Sequence, residues 1–586
     1  MPRVAILSFH SHGDRSFLDD RELAVLSGHL TQLGHENDLV EVRLEGPETE
    51  AELARVLQPF ERVVFERVWS TEPIARLRAA LPKHTFISCS GEHALDDAPA
   101  DWCVTGALDH VLPPLLDYLE GRAPAPPVEA RRRDGVAVPG AAPATAPAAT
   151  QFRPNLTPLI VGPPRTRRTF SLKGNDGCPY QADAKDNPLY AGAAMPHRVG
   201  KGCAFCVTGQ SYTSAPAQQT AQRVLEQLRA VRAAAPELQR LVLKDQNPFG
   251  WLPELLERAG AEGLGPFTLL LETRADWMLK SESRFERALE RARAAKVTLA
   301  PFLVGIESFS QPELDRFNKG TTAEANERFI EQLWGWRERF GDAFTLDEAS
   351  FGFILFTPWT AMSDLRANAA AIRRTRFDAL RGSLLLSRAR LYPDTALFYL
   401  AQRDGLLVQG YSRAGDDSAQ RYGYFPAAPW RFVHADVAHL AALAQEASER
   451  TGSRDQLALL DRLLAAFEAA GPGFAKLTVD DVLVEDERRA PPPELVKRLE
   501  GLIAPLRLDQ PLEGGWSFGP LSVSPGRLRI ELRRASEPSV VLELMPRTGR
   551  DSFARSRHYD MHCAAKTEAE RAAAAAVARA IAANDR

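Results

Sequence analysis

The chain has 586 residues, of which 45% are hydrophobic and 25% are charged, and its formal net charge is −4 at pH 7. This length predicts about three domains, and the composition is typical of globular proteins. The nearly balanced charge excludes a general basic surface for binding nucleic acid. The chain has no run of about 18 apolar residues, so no membrane span is expected. The N-terminus lacks a signal-peptide pattern, so we expect a cytoplasmic protein whose reduced thiols can bind metal.

Residues 1–121 alternate between short apolar strands and helices. Strands are predicted at residues 4–9, 39–44, 62–68 and 84–88, and helices at 20–33 and 108–119. This order predicts a Rossmann-like parallel sheet that is covered by helices on both faces. Ligands of such sheets bind at the carboxyl ends of the strands, where this sequence has residues 10–13, 69–70 and 88–91.

The next segment, residues 122–155, is rich in alanine and proline. It lacks the apolar residues of a core and therefore predicts a partly extended linker. Its three arginines at 131–133 are expected to be solvated, although a contact with nucleic acid is the alternative.

Three of the six cysteines lie within residues 174–209: Cys178 and, after 24 residues, the C-x-x-C pair Cys203 and Cys206. Three thiolates can hold three irons of a [4Fe–4S] cluster and leave the fourth iron open, whereas four thiolates close the site. Two other interpretations remain open at this point. A zinc site would need a fourth ligand such as His197, and the cysteines would otherwise be unrelated buried thiols. Cys89, Cys103 and Cys563 are expected to be ordinary buried thiols.

Residues 156–410 repeat the pattern of strand and helix. Predicted strands lie at 240–244, 267–272, 298–304, 350–356 and 383–388, and predicted helices at 220–233, 285–295, 323–339 and 364–374. With a short strand near the cysteines this makes about six units, which predicts a partial (β/α)6 barrel. Polar residues follow the strands at 244–247, 272–274 and 305–308, where barrel enzymes place their sites.

The last segment, residues 411–586, changes pattern. Helices are predicted at 435–447 and 456–470, short antiparallel strands at 521–523, 527–533 and 539–544, and an alanine-rich helix from Thr567. We therefore expect an α+β accessory domain.

Three segments in this order resemble the radical S-adenosylmethionine (SAM) superfamily, over roughly residues 165–410. They are Cys178 with the Cys203–Cys206 pair and its Phe205, then Gly-Ile-Glu-Ser at 305–308 with Leu-Asp-Arg-Phe-Asn-Lys-Gly at 314–320, then residues 390–397. Most members have a much shorter gap between the first two cysteines. The long gap therefore implies a distinct loop over the cluster, residues 179–201, in which Asp183, Asp186, Tyr190 and His197 are candidates for facing the substrate.

The resemblance implies that the three cysteines hold a [4Fe–4S] cluster whose open iron chelates SAM. Reductive cleavage of SAM then gives a 5′-deoxyadenosyl radical, with electrons from a donor such as flavodoxin or ferredoxin. The substrate would be a small metabolite or a peptide. The expected SAM contacts are Asp245, Gln246 and Asn247 for the amino group, Glu272 and Arg274 for the zwitterion, Glu307 and Ser308 for the ribose, and Phe205 and Leu391 for adenine.

Families with this barrel often carry an N-terminal cobalamin-binding domain, and residues 1–121 have its layout. The expected cobalamin contacts are His10, Ser11, His12, Ser88, Ser90, Gly91 and Gly106. The sequence lacks a D-x-H-x-x-G signature, so no protein histidine is expected below the cobalt. The resemblance implies a cobalamin-dependent enzyme, with methyl transfer as the candidate reaction. A radical SAM enzyme without cobalamin and a non-catalytic iron–sulfur or zinc scaffold are the alternatives.

Overall fold

A computed structural model of the protein describes most of the chain. The described residues are 2–10, 20–43, 47–66, 71–89, 99–133, 151–162, 168–380, 384–385, 387–409, 428–451, 456–483, 516–524, 527–534, 537–546, 554–555, 559–563 and 568–584.

The N-terminal part contains one sheet and four helices among the described residues. The strands are β1 Val4–His10, β2 Asn37–Arg43, β3 Arg62–Glu66, β4 Thr85–Cys89, β5 Trp102–Val104, β6 Ala130–Arg132 and β7 Leu159–Val161, and the helices are α1 Arg21–Gln32, α2 Pro47–Leu57, α3 Thr71–Ala80 and α4 Leu108–Leu119. The strand order is β6-β5-β4-β3-β1-β2-β7, and every neighbouring pair is parallel except β5 with β6. The predicted mixed α/β fold with a mostly parallel sheet is thus confirmed.

Alternation along β1 explains why both faces of this sheet are covered. Val4 and Ile6 pack with α1 and α4, whereas Ala5 and Leu7 pack with α2 and α3. Successive side chains of a strand point to opposite faces, so a continuous apolar strand needs a helical layer on each side.

Two edge strands of the sheet lie beyond residue 121. The strand β6 lies within residues 122–155, where the composition had indicated a linker, and β7 lies at the opposite edge beside β2. The backbone N–H of Asn155 also donates to the carbonyl of Ala24 in α1, at 2.8 Å. An edge strand is stabilised by backbone hydrogen bonds and needs little apolar surface of its own, so its composition did not reveal it.

The central part contains a second, parallel arrangement of strands. Its strands are β8 Phe170–Lys173, β9 Asp176–Gly177, β10 Tyr212–Thr213, β11 Arg240–Lys244, β12 Phe267–Leu271, β13 Val297–Pro301, β14 Val304–Glu307 and β15 Phe351–Phe353. Its helices are α5 Ala217–Ala234, α6 Leu252–Ala261, α7 Ala275–Lys280, α8 Glu282–Ala294, α9 Gln311–Arg316, α10 Ala323–Arg339, α11 Met362–Thr375 and α12 Ala396–Arg403.

Four of these strands form a parallel sheet in the order β13-β12-β11-β8, and β14 pairs with β15 in parallel. Parallel bridges from Arg274 to Gly305 and from Phe356 to Arg388 extend the pairing. Helices cover one face of the four-stranded sheet, where Leu241, Leu269 and Leu299 join the large core. The opposite face carries a separate small cluster of Val242, Leu270, Ala300 and Phe302, and we call it the inner face.

The C-terminal part contains a helical group and an antiparallel sheet. The helices are α13 Ala435–Thr451, α14 Gln456–Ala470, α15 Val479–Leu483 and α16 Glu568–Asn584, and the strands are β16 Ser517–Ser524, β17 Arg527–Arg534, β18 Glu537–Pro546, β19 Ala554–Arg555 and β20 Tyr559–Cys563. The strand order is β16-β17-β18-β20-β19. Residues of α13 to α15 belong to the same large core as the central helices, so this helical group packs on the central part. In the described part of the chain, none of the helices is both long and apolar enough to cross a membrane.

Candidate functional site

The loop that carries the three cysteines begins and ends in a two-stranded ribbon. β8 ends at Lys173, and β9 then pairs antiparallel with β10. The N–H of Cys178 donates to the carbonyl of Ser211 at 3.3 Å, so the first cysteine lies where the ribbon opens. Cys178 is buried, and Cys203 and Cys206 are partly buried. The ribbon therefore holds all three thiols on one closed loop above the carboxyl end of β8.

Backbone pairing inside this loop shortens the effective gap between Cys178 and Cys203. Asp183 and Lys201 form an antiparallel bridge, and the N–H of Gly202 donates to the carbonyl of Ala182 at 2.9 Å. The two ends of the segment 183–201 therefore lie side by side. Only residues 179–182 and Gly202 separate the two cysteines along this shorter path, which makes the long insertion compatible with a shared site.

The insertion is anchored by the segment that follows α9. Tyr190 is buried, and its hydroxyl donates to the carbonyl of Arg316 at 2.6 Å. The Asn318 amide donates to the carbonyls of Gly202 and Ala182, at 3.0 and 3.2 Å, and the Tyr180 hydroxyl donates to the carbonyl of Asn318 at 2.8 Å. Two sequence motifs that are far apart in the chain, the cysteine segment and residues 314–320, are therefore packed against each other.

We expect Asn318→Ala to lower the free energy of unfolding by about 2–3 kcal/mol. Two hydrogen bonds at about 1 kcal/mol each are lost, and alanine is disfavoured at the left-handed φ of 49° by a further ~1 kcal/mol. Chemical denaturation measures the loss, and amide exchange at Gly202 localises it. Asn318→Gly is the matched control, because it removes the side chain but tolerates the backbone conformation. Equal stability of the alanine variant and the wild type would contradict the anchoring role.

Two buried cations lie beside the thiols. Nη1 of Arg274 donates to Sγ of Cys203 at 3.1 Å, and Nζ of Lys319 lies 5.8 Å from the centre of the Phe205 ring. Burial raises the pKa of the Cys203 thiol to about 11, against the lowering effect of Lys319 and Arg274. Burial also raises the pKa of Cys178, and the nearby Cys206 adds to the increase for both thiols. Burial thus favours the protonated form of Cys178 and Cys203, and metal binding must displace these protons.

The zinc alternative requires a fourth ligand beside the three thiols. Within the described ranges, no group of three or more His, Cys, Asp or Glu side chains is arranged to hold one metal ion. His197, the fourth ligand that a zinc site would need, is exposed on the insertion. In a four-iron cluster each thiolate binds a different iron, so its ligands lie farther apart than those of one ion.

Two residues of opposite charge lie at the carboxyl ends of β11 and β12. Leu243 and Leu271 are in register, so Lys244 at the end of β11 and Glu272 just after β12 are neighbours in the chain positions that follow. Both lie two residues beyond the inner-face residues Val242 and Leu270, and therefore point to that face. Burial raises the pKa of Glu272, and Lys244 opposes the increase. Glu272 is thus a partly buried carboxylate that directly follows β12.

Glu307 is the last residue of β14 and thus also lies at the carboxyl end of a strand. Its carboxylate accepts from Nζ of Lys319 at 3.2 Å, and both side chains are buried. A Cβ on Gly305 would lie 2.5 Å from both of these atoms, and one on Gly352 would lie 3.0 Å from each carboxylate oxygen. A side chain at either glycine would therefore displace the charged ends of this ion pair. Glu307 itself has a φ of 66°, a conformation that is uncommon outside glycine and is found at functional sites.

The three polar residues that follow β11 make hydrogen bonds to other residues of the chain. The carboxylate of Asp245 accepts from the backbone and the side-chain amide of Asn175, at 2.9 and 3.0 Å, and from the N–H of Asn247 at 2.9 Å. The carbonyl of Gln246 accepts from the Thr273 hydroxyl at 2.9 Å. Asp245 therefore ties the end of β11 to the turn before the cysteine ribbon, and its predicted contact with SAM stays a prediction.

The remaining predicted SAM residues fall into two groups. Leu391 is buried in a cluster with Phe317 and Ala204, and Phe205 packs against the same cluster, so these two lie beside the cysteines. Ser308 lies elsewhere, because its hydroxyl donates to Asn368 of α11 at 3.1 Å in a fully buried position. The structure thus brings Glu307 to the site and does not bring Ser308 there.

The predicted cobalamin contacts are only partly covered by the described residues. His10 ends β1, Ser88 is buried in β4, and Gly106 is exposed with a φ of 92° after β5. These positions lie at or near the carboxyl ends of the parallel strands β1, β4 and β5. Ser11, His12, Ser90 and Gly91 lie outside the described residues.

Sequence reasoning missed Lys319, Asn318 and Tyr180 as parts of the site. Lys319 and Asn318 stand in the motif at 314–320, and Tyr180 follows Cys178 by two positions. Their positions within or next to these motifs could have identified them as site candidates from the sequence. Their contacts with the loop, however, depend on how two distant segments pack.

Comparison with solved structures shows which known fold this chain resembles. It resembles the structure of the cobalamin-dependent S-adenosylmethionine radical enzyme OxsB with aqua-cobalamin and S-adenosylmethionine bound, with a TM-score of 0.51, 13% identity, and coverage of 86% of this chain and 75% of that chain. The structure of OxsB with aqua-cobalamin bound gives a TM-score of 0.50 at 14% identity, with the same coverage. No known family model and no curated protein sequence matches the chain. The chain thus shares its fold class with a cobalamin-dependent radical SAM enzyme.

Proposed function

We propose that the protein is a radical SAM enzyme that binds a [4Fe–4S] cluster through Cys178, Cys203 and Cys206. The observation that carries this proposal is the closed loop, because the Asp183–Lys201 bridge and the hydrogen bond from Gly202 to Ala182 return the chain close to Cys178 just before Cys203. The donor set fits the group, because three thiolates leave one iron open and the buried cations Arg274 and Lys319 offset the negative charge. When bound, the cluster and SAM would supply a 5′-deoxyadenosyl radical.

In this proposal SAM binds at the carboxyl ends of the strands, next to the inner face. Glu272 would accept hydrogen bonds from the SAM ammonium group, and Lys244 beside it would pair with the SAM carboxylate. Glu307 would accept from ribose hydroxyls, and Phe205 and Leu391 would line the adenine. Asp245 and Asn247 hold the turn that positions this end of β11.

We expect Glu272→Gln to weaken SAM binding to the reconstituted protein by roughly tenfold to a hundredfold. A hydrogen bond to a charged group is worth about 1.5–3 kcal/mol, and the amide keeps the size but loses the charge. Calorimetric titration with SAM measures the dissociation constant. Glu237→Gln is the control, because Glu237 is exposed before β11 at the other end of the strand. Unchanged affinity in the Glu272 variant would remove this residue from the SAM site.

We further propose that the N-terminal sheet binds cobalamin and that the reaction is methyl transfer to a small metabolite or a peptide. Support comes from the fold shared with a protein that binds both cobalamin and SAM. A donor such as flavodoxin or ferredoxin would reduce the cluster. The cytoplasmic location expected from the sequence stays a prediction.

Anaerobic purification followed by cluster reconstitution tests this function. We expect about four irons and four sulfides per chain, the content of one [4Fe–4S] cluster. We also expect 5′-deoxyadenosine to form from SAM when dithionite is the reductant. Cobalt analysis of protein produced with cobalamin separates the cobalamin-dependent enzyme from one that works without it. A protein that takes up zinc instead of iron, or that leaves SAM intact, would be a scaffold and would overturn the proposal.

A further inference from the structure

Arg274 contacts a cysteine, an acid and a backbone carbonyl at once. It follows β12 and is buried, with Nη1 donating to Sγ of Cys203 at 3.1 Å. Nε donates to Oδ1 of Asp276 at 2.9 Å, and Nη2 donates to the carbonyl of Lys319. Three of its five N–H groups therefore already donate to protein atoms. Only two remain for a SAM carboxylate, the partner expected from the sequence.

The faces of the Arg274 guanidinium are covered as well. The centre of the Tyr180 ring lies 4.1 Å from Cζ of Arg274, and the centre of the Trp277 ring lies 5.1 Å from the same atom. Tyr180 is itself held by its hydrogen bond to the carbonyl of Asn318. The guanidinium is thus fixed between the cysteine segment, the end of β12 and the segment at 318–319. A rigid planar fork loses little freedom on forming such contacts, which lysine could not reproduce.

We propose that Arg274 is a positioning residue that orients Cys203 for iron binding and raises the reduction potential of the cluster. This inference rests on the proposed function. Hydrogen bonds to the sulfurs and the local net charge set the potentials of iron–sulfur clusters. An N–H donor with a positive charge stabilises the reduced cluster more than the oxidised one, because reduction adds negative charge next to it. Without Arg274 the cluster is harder to reduce.

A redox titration of the reconstituted protein, followed by electron paramagnetic resonance of the reduced cluster, tests this role. Arg274→Gln should shift the midpoint potential to lower values. Arg274→Lys keeps the charge but loses the fork, so it should shift the potential less. Arg240→Gln is the matched control and should leave the potential unchanged, because Arg240 is also largely buried but pairs with Glu348 at the other end of β11.

The outcomes separate this inference from the proposed function. Wild-type protein without iron and sulfide would refute the proposed function, whatever the variants do. A fully loaded Arg274→Gln protein with the wild-type potential would overturn the role of Arg274. Failure of this variant to assemble a cluster, while its metal-free form keeps the circular dichroism and melting temperature of the wild type, would support the positioning role. If the glutamine variant does not fold, Arg274→Lys decides in the same way.

Discussion

Cys203→Ala is expected to bring iron and sulfide content down to background and to abolish 5′-deoxyadenosine formation. Cys203 lies at the centre of the site, since it is the thiol that Arg274 contacts and that interacts with Cys206 and Lys319. Two remaining thiolates cannot hold a four-iron cluster with an open iron. Iron and sulfide analysis and the optical spectrum of the reconstituted variant measure the loss.

The matched control is Cys563→Ala, because Cys563 lies on β20 in the C-terminal sheet. It should keep the full iron content and the wild-type rate of SAM cleavage. The metal-free Cys203 variant should melt at or slightly below the wild-type temperature, since it removes the sulfur that accepts from Arg274. A Cys203→Ala protein that still carries an intact four-iron cluster would refute this ligand set.

Gly177→Ala is expected to disrupt the cysteine loop and to prevent cluster assembly. Gly177 has a φ of 76°, and an added Cβ would lie 1.8 Å from the carbonyl oxygen of Ser211. The left-handed conformation costs alanine roughly 1–2 kcal/mol, and the overlap with the backbone adds about 1–3 kcal/mol. The pairing of β9 with β10, which places Cys178, would therefore open. Iron content after reconstitution and amide exchange at Cys178 report on it.

Gly250→Ala serves as the control for the same chemical change. Gly250 lies in the turn after β11, and a Cβ there meets no atom within 4 Å. We expect wild-type iron content and a melting temperature within experimental error. Full cluster loading in the Gly177 variant would show that the ribbon does not position Cys178.

The sequence predicts the polar strand ends as one group of site residues, but it does not separate their roles. Glu307 and Ser308 are adjacent, yet one reaches the inner face and the other binds α11. Asp245 and Arg274 look like ligand-binding groups by type, whereas their described hydrogen bonds go to the turn and to Cys203. Chemical type is visible in a sequence, but the partners of a buried side chain come from segments that are remote in it.

The sequence by itself determined the alternation of strands and helices, the parallel pairing that follows from it, and the chemistry of three thiols with one C-x-x-C pair. These features depend on local periodicity and on residue type. Only the tertiary structure decided that β6 joins the first sheet, that residues 183–201 return on themselves, and that Asn318 and Lys319 contact the cysteine loop. The physical reason is that each of these depends on hydrogen bonds and ion pairs between distant segments, for which a single sequence carries no periodic signal.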